Sequence, residues 1–388
     1  MTDTPLSEKE ACTITEPSSG NEKTDIMSLM PEELEAWLRT FGEPKYRAAQ
    51  IFYWLTRGAS PDEMLNLPRT LREKLKTNAL FLCPTVERKL TSAIDGTVKY
   101  LFRLYDGECV ESVLMRYHHG NTLCISSQVG CRMGCAFCAS TIGGKVRDLR
   151  ASELLGQVVA ATRDSGLRID NIVMMGIGEP LDNYDNVIRF LRLVNHKDGL
   201  CIGYRHISLS TCGVVPGIRR LAEEELPITL SISLHAPTDE QRSSIMPVNR
   251  RYPLSSLLDA CRYYYTRTGR RISFEYTLLS GKNDRDADAR TLAALLKNAF
   301  RGTDAPIHVN LIRVNEVKER AFVRGTKGEA DRFAATLGKL GITATVRRRL
   351  GADVNAACGQ LRRLSEKQKD ATESVPDGTV PSGNDATV

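Results

Sequence analysis

The sequence predicts an α/β protein built on a partial (β/α)6 barrel, with a small N-terminal helical domain and a β-hairpin extension. Between residues 122 and 350, short apolar runs rich in β-branched residues alternate with helical stretches. Such alternation is typical of a parallel sheet with helices on its outer side. About six of these units follow one another without a clear reversal, which favours a barrel with its site at the carboxyl ends of the strands.

The remaining segments differ from the barrel in periodicity or composition. Residues near both termini are polar and lack helical or strand periodicity, and residues before the barrel change from a helical to a two-residue period. In chain order, we expect a disordered tail over 1–28, a helical domain over 29–84, a β extension over 85–116, the barrel over 117–353, a cysteine-bearing segment over 354–364 and a second disordered tail over 365–388.

The helical domain has clear signals at its first helix. Ser28 is the expected N-cap, Pro31 and acidic residues follow in the first turn, and Gly42 is the expected stop. Its later helices carry basic residues on their open side. The domain therefore either contacts an acidic partner or only stabilises the barrel.

Composition places the chain among globular proteins. Of its 388 residues, 41% are hydrophobic and 26% charged, as in ordinary soluble proteins. No apolar run reaches the ~18 residues of a membrane span, and the first residues contain no apolar secretion signal. We therefore expect a cytoplasmic protein without a membrane partner. In a reducing compartment, clustered cysteines indicate metal or redox chemistry more often than disulfides.

Positive charge is concentrated in short runs. The formal net charge is +6, a mild excess that many enzymes share. Arginine pairs and triplets are nevertheless repeated along the chain, and arginine binds phosphate with two parallel hydrogen bonds. The runs indicate either contacts with nucleic acid or ordinary solvated surface charge. They lie at Arg219-Arg220, Arg250-Arg251, Arg270-Arg271, Arg347-Arg348-Arg349 and Arg362-Arg363.

Three cysteines stand close together in "CRMGCAFC", at Cys131, Cys135 and Cys138. Iron–sulfur clusters are usually held by four thiolates, so three leave one iron of a four-iron cluster open to another ligand. The C-x3-C-x2-C spacing, with an aromatic residue before the last cysteine, is typical of radical S-adenosylmethionine (SAM) enzymes. A zinc site is the alternative, but it needs a fourth ligand from elsewhere in the chain.

Polar groups at later strand ends would complete a SAM site. In "GIGEP" (176–180), the glycines would allow close approach to the methionyl part of SAM, and the Glu179 carboxylate would receive its ammonium group. A strand-to-helix turn alone would need similar residues. Further candidates at successive strand ends are Pro180, Ser210, Ser233, Leu234, His235 and Asn315.

Two cysteines outside the three-cysteine motif are also candidates. Cys358, in "NAACGQL", lies beyond the last barrel strand beside a glycine, in a segment small enough to approach the site. Cys124 precedes the motif, inside "TLCISSQ". The alternative is that both are buried small apolar residues, as free cysteines often are.

The motifs together resemble the RlmN/Cfr family of radical SAM RNA methyltransferases, in its adenine-C2 branch. The resemblance is carried by "LCISSQVGCRMGCAFCAS", "NIVMMGIGEPLDN", "HISLSTCGVVPGI", "ISLHAPTDEQRSSIMPVN" and "AACGQL", and it extends to "KYRAAQIFYWL" and "VESVLMR". It covers residues 30–363. Pro180 after Glu179 favours the C2 branch, whereas "LIRVN" departs from the "LIPWN" of some members but keeps Asn315.

The resemblance implies a radical SAM barrel and methylation of adenosine C2 in 23S rRNA, at the peptidyl transferase centre, and in a tRNA anticodon loop. Cys131, Cys135 and Cys138 would hold one [4Fe-4S] cluster, and two SAM molecules would be used per turnover. Cys358 would carry the methyl group as S-methylcysteine, Glu111 would accept the C2 proton, and Cys124 would release the product through a transient disulfide with Cys358.

The same resemblance implies partners and leaves alternatives. The helical domain would bind RNA, and an electron donor such as flavodoxin or ferredoxin would serve a monomeric enzyme. A C8 methyltransferase of 23S rRNA is one alternative. A zinc-containing RNA-binding protein is another, from a different functional class.

Overall fold

The computed structural model describes residues 23–315, 317, 319–354 and 361. Their helices are α1 Pro31–Arg39, α2 Tyr46–Leu55, α3 Arg69–Asn78, α4 Ala151–Ser165, α5 Tyr184–Asn195, α6 Val215–Glu223, α7 Asp239–Ile245, α8 Leu254–Thr268, α9 Asp286–Ala299 and α10 Lys327–Lys339. Their strands are β1 Thr24–Asp25, β2 Ala79–Leu80, β3 Thr85–Thr91, β4 Val98–Arg103, β5 Cys109–Tyr117, β6 Gly120–Cys124, β7 Gln128–Gly130, β8 Lys145–Asp148, β9 Asn171–Met174, β10 Ile207–Thr211, β11 Thr229–Ser233, β12 Ile272–Leu278, β13 His308–Arg313 and β14 Thr343–Val346.

One large sheet organises the molecule. Its strand order is β14-β13-β12-β11-β10-β9-β6-β5-β4-β3. Strands β6 and β9 to β14 are parallel, and one or two helices lie between each consecutive pair of them in the chain. Within the described residues, β14 and β3 remain at opposite edges of the sheet. The predicted partial barrel is therefore confirmed.

The β extension continues this sheet rather than forming a separate unit. Strands β3, β4 and β5 are antiparallel, and β5 pairs with β6 of the barrel. The predicted hairpin between β4 and β5 is present, and Glu111 lies in β5 as expected. The predicted boundary at 116/117 falls inside β5, because the alternation that marks a strand does not reveal which sheet it joins.

The main core lies between the sheet and its outer helices. Every second strand residue points toward the helices, as with Leu209, Leu230 and Phe274, which are at most 1% exposed. The helices contribute residues such as Phe190 and Leu257, which are fully buried. Burying one such side chain stabilises the fold by about 1.5–3 kcal/mol. No helix in the described part of the chain is long and apolar enough to cross a membrane.

The N-terminal helical domain has its own core and begins earlier than predicted. Ile26 and Met27 are buried in it, and β1 pairs with β2. The prediction that the disordered tail reaches residue 28 is therefore wrong for residues 24–28. The prediction of Ser28 as N-cap is also wrong, because Met30 occupies that position. The Ser28 hydroxyl instead donates to Asp25 and accepts from the Ser152 amide of α4.

The C-terminal predictions fall largely outside the described residues. Of the segment predicted over 354–364, the structure describes 354 and 361. Cys358, the second tail at 365–388 and residues 1–22 of the first tail lie outside the described part of the chain.

Candidate active site

A cleft of about 220 Å³ opens at the carboxyl ends of the parallel strands, where the sequence places the site. Its walls come from the loop after β7, from the ends of β9, β10 and β11 with the residues that follow them, from β12 and β13, and from Met246 after α7 and Arg347 after β14. Seven of the predicted residues line it, and they are Cys131, Cys135, Cys138, Glu179, Ser210, Ser233 and His235. One cavity thus brings together motifs that are far apart in the chain.

The three cysteines lie in the loop 131–144, which joins β7 to β8. The Cys131 amide donates to the Gly144 carbonyl at 2.8 Å, and the Cys138 amide donates to the Cys135 carbonyl at 3.1 Å. The Thr141 hydroxyl donates to the carbonyls of Cys135 and Cys138. These bonds hold the loop in a compact turn with its sulfur atoms at one end of the cleft.

Burial makes this end of the cleft unfavourable for bare thiolates. Desolvation raises the pKa of Cys131 to about 12 and also raises the pKa of Cys135. The described residues contain no group of three or more His, Cys, Asp or Glu side chains gathered as around a single metal ion. The thiols instead share one wall, where a bound cationic centre would stabilise their ionised form.

Hydrogen bonds hold Glu179 rigidly in the wall of the cleft. Its carboxylate accepts the Cys212 amide at 2.7 Å and the Leu181 amide at 3.1 Å, while its own amide donates to Gln128 at 2.9 Å. The side chain is 3% exposed, and burial raises its carboxyl pKa despite these hydrogen bonds. A buried carboxylate with a surface on the cleft is suited to a cationic group of a ligand.

Close packing requires glycine at both positions before Glu179, and the approach of SAM to these glycines stays a prediction. A Cβ on Gly176 would lie 2.6 Å from the Ile125 carbonyl oxygen, and a Cβ on Gly178 would lie 2.6 Å from the Ser127 hydroxyl. Gly178 also has φ +111°, which disfavours other residues. Both glycines border the cleft, but close packing on the segment after β6 is what requires them.

His235 is a buried, neutral imidazole in the cleft wall. Its Nδ1 accepts the Thr277 amide at 2.9 Å, so the proton lies on Nε2. Its ring meets Phe137 edge to face, with centroids 4.9 Å apart. Burial, with a smaller contribution from Arg242, lowers the His235 pKa to about 3. Its φ of +58° is unusual for a non-glycine residue.

Three of the predicted SAM contacts are not among the residues that line the cleft. Leu234 is fully buried in the core. Pro180 begins a short 3-10 turn after Glu179. The Asn315 side chain accepts a hydrogen bond from Arg324 at 2.9 Å. The contacts of all three residues with SAM therefore stay predictions.

Sequence reasoning missed the buried Arg242, which ties the cleft wall together. It is 0% exposed and donates to the carbonyls of Cys212, Ser233 and Leu234 at 2.6–3.0 Å. It also donates to the Asn249 side chain at 2.9 Å. Its position in "DEQRSS" on α7 looks like a surface helix, so only the tertiary contacts reveal its role. Glu275, Thr277 and Arg347 also line the cleft and were missed.

Glu111 and Cys124 lie on the same face of neighbouring strands. Cys124 pairs with Val113 across the β5–β6 ladder, and Glu111 is two residues from Val113, so all three point the same way. Glu111 forms an ion pair with Lys99 at 3.0 Å, with both side chains 1% exposed. Cys124 packs in a small cluster that reaches Met175 at the cleft.

Models of two known families match the chain. The Radical SAM superfamily matches residues 125–293, and the ribosomal RNA large subunit methyltransferase N-terminal domain matches residues 24–81. A protein of Alkaliphilus oremlandii named probable dual-specificity RNA methyltransferase RlmN is 53% identical over 88% of this chain and 98% of its own length. The chain belongs to the RlmN family of radical SAM proteins.

Further comparisons agree with membership of the RlmN family. A Clostridium novyi protein of the same name is 50% identical over 87% of this chain and 98% of its own length. The crystal structure of a radical SAM methyltransferase from Sphaerobacter thermophilus matches with a TM-score of 0.82 and 45% identity, over 87% of this chain and 98% of that one. The resemblance found in the sequence motifs is confirmed.

Membership of the radical SAM superfamily implies SAM and an iron–sulfur cluster, and the cleft fits both. Three thiols share one wall, and Glu179, Ser210, Ser233 and His235 border the space beside them. The thiols need a cationic partner in order to ionise, and the Glu179 carboxylate is preorganised for a cationic group. The donor set and the cradle therefore suit the cofactors of the RlmN family.

Proposed function

We propose that the chain methylates C2 of an adenosine in 23S rRNA, at the peptidyl transferase centre, and of the anticodon-loop adenosine 3′ of the anticodon in tRNA. Its RlmN-family relatives, named dual-specificity RNA methyltransferases, support this function. The structural observation that carries it is the shared face of Glu111 and Cys124, beside a cleft that also holds the three cysteines.

The cleft residues would hold the cofactors. Cys131, Cys135 and Cys138 would bind one [4Fe-4S] cluster, and Glu179 would receive the ammonium group of SAM. The bound cofactors supply a 5′-deoxyadenosyl radical. Ser210 and Ser233 offer hydroxyls, and His235 offers its Nε2 proton, for hydrogen bonds to SAM.

Cys358 is proposed to carry the methyl group, and the described residues around its segment support this. The Asp353 carboxylate accepts hydrogen bonds from the Ser92 hydroxyl at 2.7 Å and the Ala93 amide at 2.9 Å. On the other side of the segment, Leu361 is 4% exposed and packs with Leu101 and Cys109.

Leu101 is the cross-strand partner of Glu111. Leu361, which follows Cys358 by three residues in the sequence, thus packs beside the strand position opposite Glu111. This contact supports the proposed role of Cys358, which itself lies outside the described residues.

Glu111 and Cys124 are proposed to complete the reaction. Glu111 would take the C2 proton from the adduct in which the methyl-derived carbon joins the Cys358 sulfur to C2. The Cys124 thiolate would then attack the Cys358 sulfur, so that a Cys124–Cys358 disulfide forms as the bond between that sulfur and the product carbon breaks. The carbon keeps the electron pair of the broken bond and takes up a proton, which completes the methyl group. A reductant must reopen this disulfide, and a second SAM molecule must methylate Cys358 again for the next turnover.

The RNA substrate and the electron donor would both reach the cleft from solvent. An adenosine in folded RNA must leave its stack to enter the cleft, at a cost of a few kcal/mol. Phosphate contacts by the arginine runs and by basic side chains of the N-terminal domain would offset that cost. We propose flavodoxin or ferredoxin as the electron donor and a monomeric, cytoplasmic enzyme.

Nucleoside analysis tests the proposed function. Reconstituted protein, SAM and a reductant are incubated with 23S rRNA and with tRNA lacking the modification, and the nucleosides are identified by mass spectrometry. We expect 2-methyladenosine in both RNAs. Formation of 8-methyladenosine would contradict the C2 assignment, and methylation of only one RNA would contradict dual specificity.

Two cysteine variants test the assigned steps. Cys358→Ala should still cleave SAM reductively but give no methylated RNA. Cys124→Ala should accumulate a covalent protein–RNA adduct, visible on a denaturing gel. Full methylation by Cys358→Ala, or an inactive Cys124→Ala without the adduct, would contradict these roles. Cys261→Ala is the matched control, because this thiol is fully buried among α8 core residues.

A further inference from the structure

The loop 131–144, which carries the three cysteines, is held by contacts from two other parts of the barrel. The Ala136 amide donates to the Ile245 carbonyl, at the end of α7, at 2.8 Å. Arg320 Nη2 donates to the Thr141 hydroxyl at 3.0 Å and lies 3.4 Å from the Cys138 carbonyl oxygen. Arg320 follows these two residues by 179 and 182 positions in the chain. Its side chain therefore joins the segment after β13 to the loop after β7.

Packing fixes the segment that carries Arg320. Val314 and Phe322, which stand on either side of Arg320 in the chain, pack in the same apolar group of side chains as Cys135. The Arg320 amide donates to the Val317 carbonyl at 2.8 Å, and Val317 is 8% exposed. The guanidinium is thus placed beside the cysteine loop by its own segment as well as by its hydrogen bonds.

Thr141 extends the contact of Arg320 to a second cysteine. The Thr141 hydroxyl donates to the carbonyl oxygens of Cys135 at 3.2 Å and Cys138 at 3.1 Å. A hydroxyl oxygen also accepts hydrogen bonds, and a charged donor such as a guanidinium gives a stronger bond than a neutral donor. Arg320 therefore restrains the backbone of Cys138 directly and the backbone of both cysteines through Thr141.

Arg320 also brings a positive charge to this end of the cleft. Its contact with the Cys138 carbonyl places the guanidinium beside a residue whose thiol borders the cleft. Its Nε atom is buried and has no hydrogen-bond partner among the described residues. The reduction potential of an iron–sulfur cluster depends on charge and hydrogen bonds around it. Because reduction adds one negative charge, a cation close to the cysteines favours the reduced form.

We propose that Arg320 is a positioning residue for the iron–sulfur cluster, which holds the cysteine loop and makes one-electron reduction of the cluster more favourable. The role rests on the proposed function, in which Cys131, Cys135 and Cys138 are the cluster ligands. The electron comes from the flavodoxin or ferredoxin proposed as the donor. Arg320 stays protonated throughout, and no atom is transferred to or from it.

Two substitutions separate the charge of Arg320 from its hydrogen bonds. Arg320→Gln replaces the guanidinium with a neutral amide donor, and Arg320→Lys keeps the charge but loses the planar fork. Both proteins are reconstituted without oxygen and titrated with titanium(III) citrate, with electron paramagnetic resonance as the readout. At a fixed potential, Arg320→Gln should lower the ratio of reduced to oxidised cluster about tenfold, a shift of ~59 mV for one electron. Arg320→Lys should stay within about twofold of the unmodified chain, because its charge remains.

Retention of iron tests the positioning role separately. Arg320→Met removes both the charge and the donors, and it should lose iron to a chelator at least about tenfold faster than the unmodified chain, as is usual when a group that supports a metal ligand is removed. Arg301→Gln is the matched control for both measurements. Arg301 is exposed and bonds to Asn298 at 2.9 Å, after α9 at the amino ends of the strands.

The outcomes separate this role from the proposed function. Circular dichroism first shows that each variant is folded. An unchanged midpoint potential in Arg320→Gln, or an equal shift in Arg320→Lys, would overturn the effect of the charge. Iron loss from Arg320→Met at the rate of the unmodified chain would overturn the positioning role. Failure of the unmodified chain to bind iron would instead contradict the proposed function on which the role depends.

Discussion

Lys99 and Glu111 sit on β4 and β5 as a buried ion pair, 3.0 Å apart and each 1% exposed. Removing one partner of such a pair leaves a charge in a poorly solvated site, which typically costs 3–5 kcal/mol. The pair also fixes the carboxylate that we propose as the base. At the residue scale, therefore, one interaction stabilises the fold and would also position the proposed base.

A double-variant cycle tests this pair. Lys99→Met should lower the free energy of unfolding by about 3 kcal/mol, and adding Glu111→Gln should recover about half of that loss because the second charge is gone. Urea unfolding followed by circular dichroism measures both values. Additive effects of the two substitutions would show that the ion pair does not couple them.

His235 predicts a pH dependence of stability. Its folded-state pKa is about 3, against an ordinary value of 6.5, so the folded protein resists its protonation. This contribution is complete above pH 6.5 and is lost as pH falls from 6.5 toward 3. Between pH 7 and 5 it amounts to about 2 kcal/mol.

His235→Asn should remove that part of the pH dependence. Urea unfolding at pH 7 and pH 5 should show a difference about 2 kcal/mol smaller in the variant than in the unmodified chain. His206→Asn provides the control, because His206 lies at an exposed position and should leave the difference unchanged. Identical pH dependence in His235→Asn and the unmodified chain would refute the assignment.

At the scale of elements, β1 and the turn after it fasten the N-terminal domain to the barrel. Ser152, at the start of α4, donates through its hydroxyl to Asp25 at 2.6 Å and through its amide to Ser28 at 3.0 Å. Ile26, which lies between Asp25 and Ser28 in the chain, is 0% exposed. Residues that the sequence assigned to a tail are thus part of the interface between the two units.

Ile26→Ala should destabilise the N-terminal domain by about 3 kcal/mol, the usual cost of such a cavity. The chain's tryptophans, Trp37 and Trp54, both lie in this domain, so their fluorescence reports its unfolding in urea. Leu65→Ala, at a residue 78% exposed, should change stability by less than about 0.5 kcal/mol. Equal stability of the two variants would mean that Ile26 contributes no packing.

At the scale of the whole molecule, positively charged side chains and exposed aromatic rings lie together along α2 and just after its end. Tyr46 and Tyr53 are 56% and 46% exposed. The Arg57 guanidinium lies 3.4 Å from the centre of the Tyr53 ring, and Arg47 lies 4.9 Å from that of Tyr46. Aromatic rings that stack with bases, beside cations that contact phosphate, are common at RNA-binding surfaces. This face is our candidate RNA contact.

Arg57→Ala combined with Tyr53→Ala should weaken binding of the substrate RNA by about tenfold and reduce the slope of log K against log [salt] by about one. Fluorescence anisotropy with labelled RNA at several salt concentrations measures both. Arg290→Ala on α9 is the matched control, since Arg290 pairs with Asp286 at 2.9 Å. An unchanged slope in the double variant would exclude α2 from the contact.

The sequence alone determined the order of elements and the main chemistry. The predicted alternation of apolar runs and helical stretches over 122–350 agrees with the strands β6 and β9 to β14 and the helices between them, because apolar periodicity and capping residues act locally. The cysteine spacing predicted the radical SAM class, since all three cysteines of the motif lie on one short loop. The sequence also predicted four other residues that line the cleft, because they are polar groups at the ends of successive strands. They are Glu179, Ser210, Ser233 and His235.

Contacts between residues that are far apart in the chain depend on the tertiary structure. The sequence pattern predicts a surface residue of α7 at Arg242, but in the structure Arg242 donates to carbonyl groups at the ends of β10 and β11. The sequence pattern is that of a solvated strand residue at Lys99, but in the structure Lys99 forms a buried ion pair with Glu111. Likewise, nothing in the sequence indicates that Glu275 accepts a hydrogen bond from Asn310. Local periodicity reports the face on which a side chain lies. Burial and charge pairing depend on which other strands and helices cover that face, and the fold alone sets that.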